Sequence, residues 1–217
     1  MYKLLRIFGL LVLTASTLTA EEQKAPDTGG ILSLFGRFSF AHGCPIATDR
    51  VLTNAHVLDL RPFDRDIPLF PYRFQSDTEQ GQLIGLGAST REDLAWATPT
   101  PLLSFFYPLA TDAPAVGDTL YWLSYDRSNR KKGLTRKPLS GKVLRTIVGH
   151  IVLDTPTPPG SSGSCVLNSR GEVVGLIAWG LDMENTEELT VAVGVWSGWL
   201  PAIVLDRKPA EQAAPAR

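Results

Sequence analysis

Three short segments of the 217-residue chain carry side chains suited to nucleophilic chemistry. Val51-Leu52-Thr53-Asn54-Ala55-His56-Val57 reads as a strand running into a short helical turn that presents His56. A histidine's unperturbed pKa near 6.5 leaves it mostly neutral at neutral pH, so His56 is a candidate general base, although a lone histidine is more often structural. Glu92-Asp93-Leu94-Ala95-Trp96-Ala97 sets Asp93 at the mouth of an apolar strand, where by itself it reads as an ordinary turn aspartate. Pro159-Gly160-Ser161-Ser162-Gly163-Ser164-Cys165-Val166-Leu167 places Ser162 between two glycines. They permit a tight turn that lifts the hydroxyl and aims backbone N–H groups of Gly160 and Ser162 at a nascent oxyanion. Taken alone, the segment is a Ser/Gly-rich loop.

The elements that must position these groups are short. Apolar runs at 31–40, 45–53, 69–74, 82–86, 94–98, 120–125, 142–148, 151–153, 165–167, 173–179 and 189–195 alternate with turn residues, and 19 Gly and 16 Pro supply the turns. That cadence predicts an all-β chain. Pro99, Pro101, Pro108 and Pro114 crowd the middle, where a crossing segment is free of ladder hydrogen bonds, so the reading is two small barrels joined there. Their expected extents are 31–105 and 112–200, within a domain covering 31–207. With 44% hydrophobic and 20% charged residues the chain has the composition of a globular protein and not of a disordered one. A formal net charge of −1 offers no whole-protein attraction to nucleic acid or anionic membranes. Two cysteines, Cys44 and Cys165, exclude Cys-x-x-Cys metal or redox spacing.

At the N-terminus, Lys3 and Arg6 precede an apolar run, Ile7 to Leu13, that fades into small residues before Ala20. This reads as a signal peptide over 1–20, with a retained anchor as the alternative, and implies export to the periplasm or the extracellular space. Residues 21–30 and 208–217 are polar and read as flexible ends.

Together the three segments resemble the chymotrypsin-like, or trypsin-like, serine peptidases, and most closely their bacterial high-temperature-requirement branch. The resemblance rests on Thr53-x-x-His56, Asp93-Leu94-Ala95 and Gly160-x-Ser162-Gly163, in that order, and runs from Phe38 to Pro201. It implies two six-stranded antiparallel barrels with the active site in the cleft between them. It also implies His56 as general base, Asp93 as its orienter and Ser162 as nucleophile, with Gly160 and Ser162 donating the oxyanion hole. Chain order His-Asp-Ser separates this arrangement from subtilisins and α/β-hydrolases. Such an enzyme is a secreted endopeptidase needing no metal or cofactor, with peptides or proteins as its partners. The alternatives are a pseudoprotease that binds peptides without cutting them, and an esterase.

The same resemblance assigns a specificity pocket. Pro156 stands where Lys/Arg-specific relatives keep an aspartate, and Ala178-Trp179-Gly180 matches their Ser-Trp-Gly strand, so small or medium apolar side chains are expected. Cys44 and Cys165 lie on strands that approach each other in the family. A disulfide and a pair of buried thiols both remain open. Where relatives carry Gly-Gly-Pro after the nucleophile this chain has Gly163-Ser164-Cys165, so a Cβ at Ser164 is expected to crowd the strand. The residue before the nucleophile is Ser161, which offers no charge to an N-terminal ammonium, and activation by N-terminal cleavage is not expected. His42 reads as a surface or cleft-rim histidine, and His150 as a core residue or a pocket wall. The run Arg127, Arg130, Lys131, Lys132, Arg136, Lys137 reads as a solvated hairpin loop. After Trp199 the sequence has too few residues for a PDZ domain.

Overall fold

The structure, a computed structural model, describes residues 24–36, 40–58, 72–89, 91–126, 135–183 and 187–196. The expected signal peptide, the 208–217 tail and the basic residues 127–132 lie outside these.

Six strands form the first barrel: β1 (Leu32–Phe35), β2 (Phe40–Ala47), β3 (Arg50–Thr53), β4 (Tyr72–Gln75), β5 (Gln80–Ser89) and β6 (Leu94–Thr100). They close in the order β1-β2-β3-β6-β5-β4. The second barrel comprises β7 (Thr119–Asp126), β8 (Thr135–Ile147), β9 (His150–Leu153), β10 (Cys165–Leu167), β11 (Val173–Met183) and β12 (Glu187–Gly194). These close as β10-β11-β12-β9-β8-β7, and all the pairings within both barrels are antiparallel. The fold is the expected double six-stranded barrel.

Alternation along the strands divides the apolar residues among three cores, because successive side chains leave opposite faces of a sheet. In β6, Ala95 and Ala97 fill the first barrel with Leu32, Leu34, Phe74 and Leu83, while Leu94 and Trp96 point the other way. In β7, Leu120 and Trp122 fill the second barrel with Val143, Ile151 and Leu153, and Leu123 faces outward. The outward residues meet in a third core with Ile31, Cys44, Leu52, Cys165, Leu167 and Leu176, which cements one barrel to the other. Within it Cys44 of β2 and Cys165 of β10 are joined as a disulfide, Cα atoms 4.9 Å apart. The segment between the barrels hugs both: the N–H groups of Leu103 and Tyr107 donate to Thr48 and Pro45, and that of Ala110 to Val173.

Two strands depart from the apolar runs. β2 passes straight through Ala41-His42-Gly43-Cys44, which read as a break, because it is covered on both faces and needs no alternation. Gly43 is required there, since a Cβ would lie 2.8 Å from Val51. β8 starts at Thr135, well before the run at 142–148, since its first half is largely exposed and earns its place by pairing with β7. Arg136 and Lys137 therefore lie in a strand. Arg136 is not part of a solvated loop: it donates to the carbonyls of Gly29 and Ile31 and pairs with Asp77. It tethers the end of the stretch expected to be flexible, where Thr28 is buried and Tyr107 Oη–H donates to Asp27.

Candidate active site

β3 ends at Thr53, and a single 3₁₀ turn, Ala55–Leu58, follows with Ala55, Val57 and Leu58 buried. Burying those three leaves His56 as the residue of the turn that faces solvent, its side chain 47% exposed. Asp93 opens β6 in a left-handed conformation, φ 50°, which aspartate tolerates better than most residues. One carboxylate oxygen lies 2.8 Å from His56 Nδ1, and the other accepts the His56 main-chain N–H at 3.0 Å. Asn54 Nδ2–H donates to the Asp93 carbonyl. The imidazole is thereby oriented with Nδ1 toward the carboxylate, and among the described residues Nε2 meets no hydrogen-bond partner.

Ser162 comes from the second barrel. Gly160 and Gly163 both have positive φ, 96° and 81°. At Gly163 a Cβ would land on the His42 carbonyl oxygen and the Thr53 hydroxyl, so only glycine lets the turn seat against β2 and β3, three residues before His56. The seat is fastened by His42 N–H to Ser162 O, 2.8 Å, and Gly163 N–H to Ile177 O, 2.8 Å. Among the described residues the N–H groups of Gly160 and Ser162 meet no backbone acceptor. The Ser162 hydroxyl donates to the Ala178 carbonyl, 3.0 Å, and not to His56. Two of the three triad candidates are thus in contact, and the third rests on a neighbouring carbonyl.

Serines on either side explain the departures from the family pattern. Ser161 is buried, shares a 2.7 Å hydrogen bond with Ser124 and donates to Pro158. Ser164 does not crowd its strand: its Oγ accepts the Leu123 N–H at 3.0 Å, in a gap that a glycine would leave unpaired.

Beside Ser162 opens a cavity of about 650 Å³ lined by Pro156, Pro158, Ile177, Ala178, Trp179 and Leu189, with Thr157 and Gly180. All four residues expected at the pocket line it. Among the described residues its lining contains no charged side chain. Thr157, which the sequence reading missed, brings a hydroxyl 2.6 Å from that of Thr190, itself 2.6 Å from the Thr155 carbonyl. Thr190 is the donor in both contacts, its one proton shared between the Thr155 carbonyl and the Thr157 oxygen. Thr157 therefore accepts in this pair, and its own hydroxyl proton is not used there. His150 lies at its rim, ring centroid 5.6 Å from that of Trp179.

His42 is the largest correction. Expected at the surface, it is fully buried beneath the Ser162 turn, stacked on Tyr125 at 4.4 Å, and its Nδ1 lies 3.1 Å from the Gly160 carbonyl. Burial pushes its pKa down to about 3, with the nearby Arg136 guanidinium adding to the effect.

A double β-barrel with this site is the architecture of the trypsin-like peptidases, and the chain belongs to that family: the trypsin-like peptidase domain matches residues 41–176. Among solved structures it is similar to a Glu endopeptidase bound to MPD, at 14% identity and TM-score 0.69, covering 86% of this chain and 92% of that one. It is also similar to the inactive form of a serine-to-alanine mutant of Rv3671c from M. tuberculosis H37Rv, at 15% identity and TM-score 0.63, covering 86% and 90%. A third is the serine endoprotease from Yersinia pestis, at 17% identity and TM-score 0.59, covering 77% and 59%. No curated protein matches the sequence.

Proposed function

We propose that the protein is an exported serine endopeptidase that uses His56, Asp93 and Ser162 to cleave peptides after small or medium apolar residues. The observation that carries this reading is the His56–Asp93 pair, 2.8 Å apart, held on the first barrel beside the Ser162 turn of the second. Ser162 Oγ leaves the Ala178 carbonyl, passes its proton to His56 and attacks the scissile carbonyl, and the imidazolium is stabilised by Asp93. His56 then protonates the departing amine, and water repeats the sequence on the acyl-enzyme. The N–H groups of Gly160 and Ser162 face the developing oxyanion, a contribution of about 3–4 kcal/mol per donor in such sites.

The pocket supports the apolar preference. Among the described residues that line it, a Lys or Arg side chain would be desolvated without a counter-charge. Export is supported by the N-terminal apolar run and is consistent with a disulfide, which persists in oxidising compartments.

Labelling with a fluorophosphonate tests the reading: it is expected to modify Ser162, with hydrolysis of apolar members of a peptide library and loss of both in Ser162→Ala. The resting bond from Ser162 to Ala178 is the feature that favours the competing reading, peptide binding without cleavage. Peptide binding with no label and no hydrolysis establishes that reading, and hydrolysis of esters alone establishes an esterase.

A further inference from the structure

We propose that His42 is a positioning residue for this site: its imidazole, as the Nδ1–H tautomer, holds the Gly160 carbonyl and so fixes the turn that supplies the oxyanion donors. The inference rests on the peptidase reading above.

It begins with a cost. His42 is fully buried, and a buried polar ring is destabilising unless its nitrogens are paired. Nδ1 faces a carbonyl, which only accepts, so Nδ1 carries the hydrogen. In a neutral ring Nε2 is then a bare lone pair, and among the described residues it is buried without a partner. A phenylalanine would fill the same space against Tyr125 with no orphaned atom. What a phenylalanine lacks is the donor to Gly160.

That donor acts on the residue with the most freedom in the turn. Gly160 sits at φ 96°, and a Cβ there would strike the Phe40 ring, so only glycine fits, and glycine leaves its flanking peptides free to rotate. The three peptide planes around the nucleophile are fastened in sequence. The Gly160–Ser161 plane is held by its carbonyl on His42 Nδ1–H at 3.1 Å and, over a longer 3.4 Å, by the Ser161 N–H on Pro158 O. The Ser161–Ser162 plane, which carries the Ser162 N–H, is held by its carbonyl on Ser164 N–H, 3.1 Å. The Ser162–Gly163 plane is held at both ends, by His42 N–H and by Ile177 O. His42 thus grips the turn on both sides of the Ser162 donor, once by side chain and once by main chain. Its own carbonyl accepts the Thr53 hydroxyl at 2.8 Å, and its ring plane is set by Tyr125, whose hydroxyl donates to Ala41. One residue therefore links the end of the strand that leads to His56 with the turn that carries Ser162.

The test uses the full-length protein and two substitutions. His42→Phe keeps an aromatic ring against Tyr125 and removes the donor. His42→Asn removes the ring and places an amide N–H near the Nδ1 position. Loss of a positioned oxyanion turn predicts that His42→Phe lowers kcat by about 10²-fold with little change in KM. Affinity for a peptide boronic acid should fall by a similar factor, and His42→Asn should recover most of both. A folded His42→Phe with wild-type kcat, or a His42→Asn no better than it, overturns the proposal. Long-range ¹H–¹⁵N correlation on the unmodified protein gives a readout that survives if the variants do not fold: an Nδ1–H tautomer at His42 supports the assignment and an Nε2–H tautomer overturns it. Should the wild-type protein hydrolyse no peptide, the peptidase reading fails by itself, and the tautomer still tells whether His42 holds the turn.

Discussion

Acid should weaken this fold through His42 in a way that can be isolated. In the unfolded chain the imidazole takes its proton near pH 6.5, whereas in the folded protein burial holds protonation off to about 3. Between those values the unfolded state binds the extra proton, so stability is fully present above pH 6.5 and falls as pH drops toward 3. At about 1.4 kcal/mol per pH unit, the full interval corresponds to on the order of 5 kcal/mol, comparable with the whole stability of many domains. The charged or titratable groups that act on the ring are the Arg136 guanidinium on β8, which opposes protonation, and the Tyr125 phenol on β7, which burial keeps neutral throughout this range. Urea unfolding of the wild type and of His42→Asn between pH 7 and 4.5 separates this contribution from the carboxylates, which both proteins share. The wild type should be the more stable at pH 7, and its advantage should shrink by about 2–3 kcal/mol between pH 6.5 and 4.5. Parallel stability curves would refute the reasoning, because they would mean that His42 titrates alike in the folded and unfolded chains.

Ser162→Ala and His56→Ala should each remove nearly all hydrolysis of an apolar peptide substrate, since nucleophile and base act as a unit, while Asp93→Asn should lower kcat by about 10⁴ through the wrong tautomer. Steady-state kinetics on folded variants checks all three, and wild-type rates in any of them count against the assignment. Gly163→Ala should cost about 3–5 kcal/mol of stability, from a left-handed alanine plus a Cβ driven into His42 O, and should abolish fluorophosphonate labelling; a thermal melt near that of the wild type contradicts this. Replacing Cys44 and Cys165 together by serine opens a covalent loop of 121 sequence steps, and chain entropy puts the loss at somewhat under about 5 kcal/mol, measurable as a shift in the urea midpoint.

How much of this was readable beforehand depended on whether the signal was local. The barrels were visible because most strands alternate or run apolar between turn residues, and the triad candidates because each sits in a motif a few residues long. β2 hid its course because burial on both faces erases the period of two, so His42 and Gly43 looked like a break and the histidine like a surface group. The first half of β8 hid for the opposite reason, since its charged, exposed residues are strand only by virtue of β7. Thr157 and Thr190 stand 33 residues apart, and Ser164 and Leu123 stand 41 apart, so their hydrogen bonds exist only once the second barrel closes.

The bond between Cys44 and Cys165 has a consequence for the integrity of the polypeptide. The two cysteines lie on opposite sides of the segment that joins the barrels, much of which is exposed between Thr111 and Thr119. A single cut there, by another protease or by a second copy of this one, would divide the chain into two fragments that travel together until a reductant is added. Each fragment would carry part of the chemistry, His56 and Asp93 on one and Ser162 on the other. Under oxidising conditions, then, a nicked molecule need not be a dead one: its two halves remain registered by a covalent stitch and by the apolar core around it.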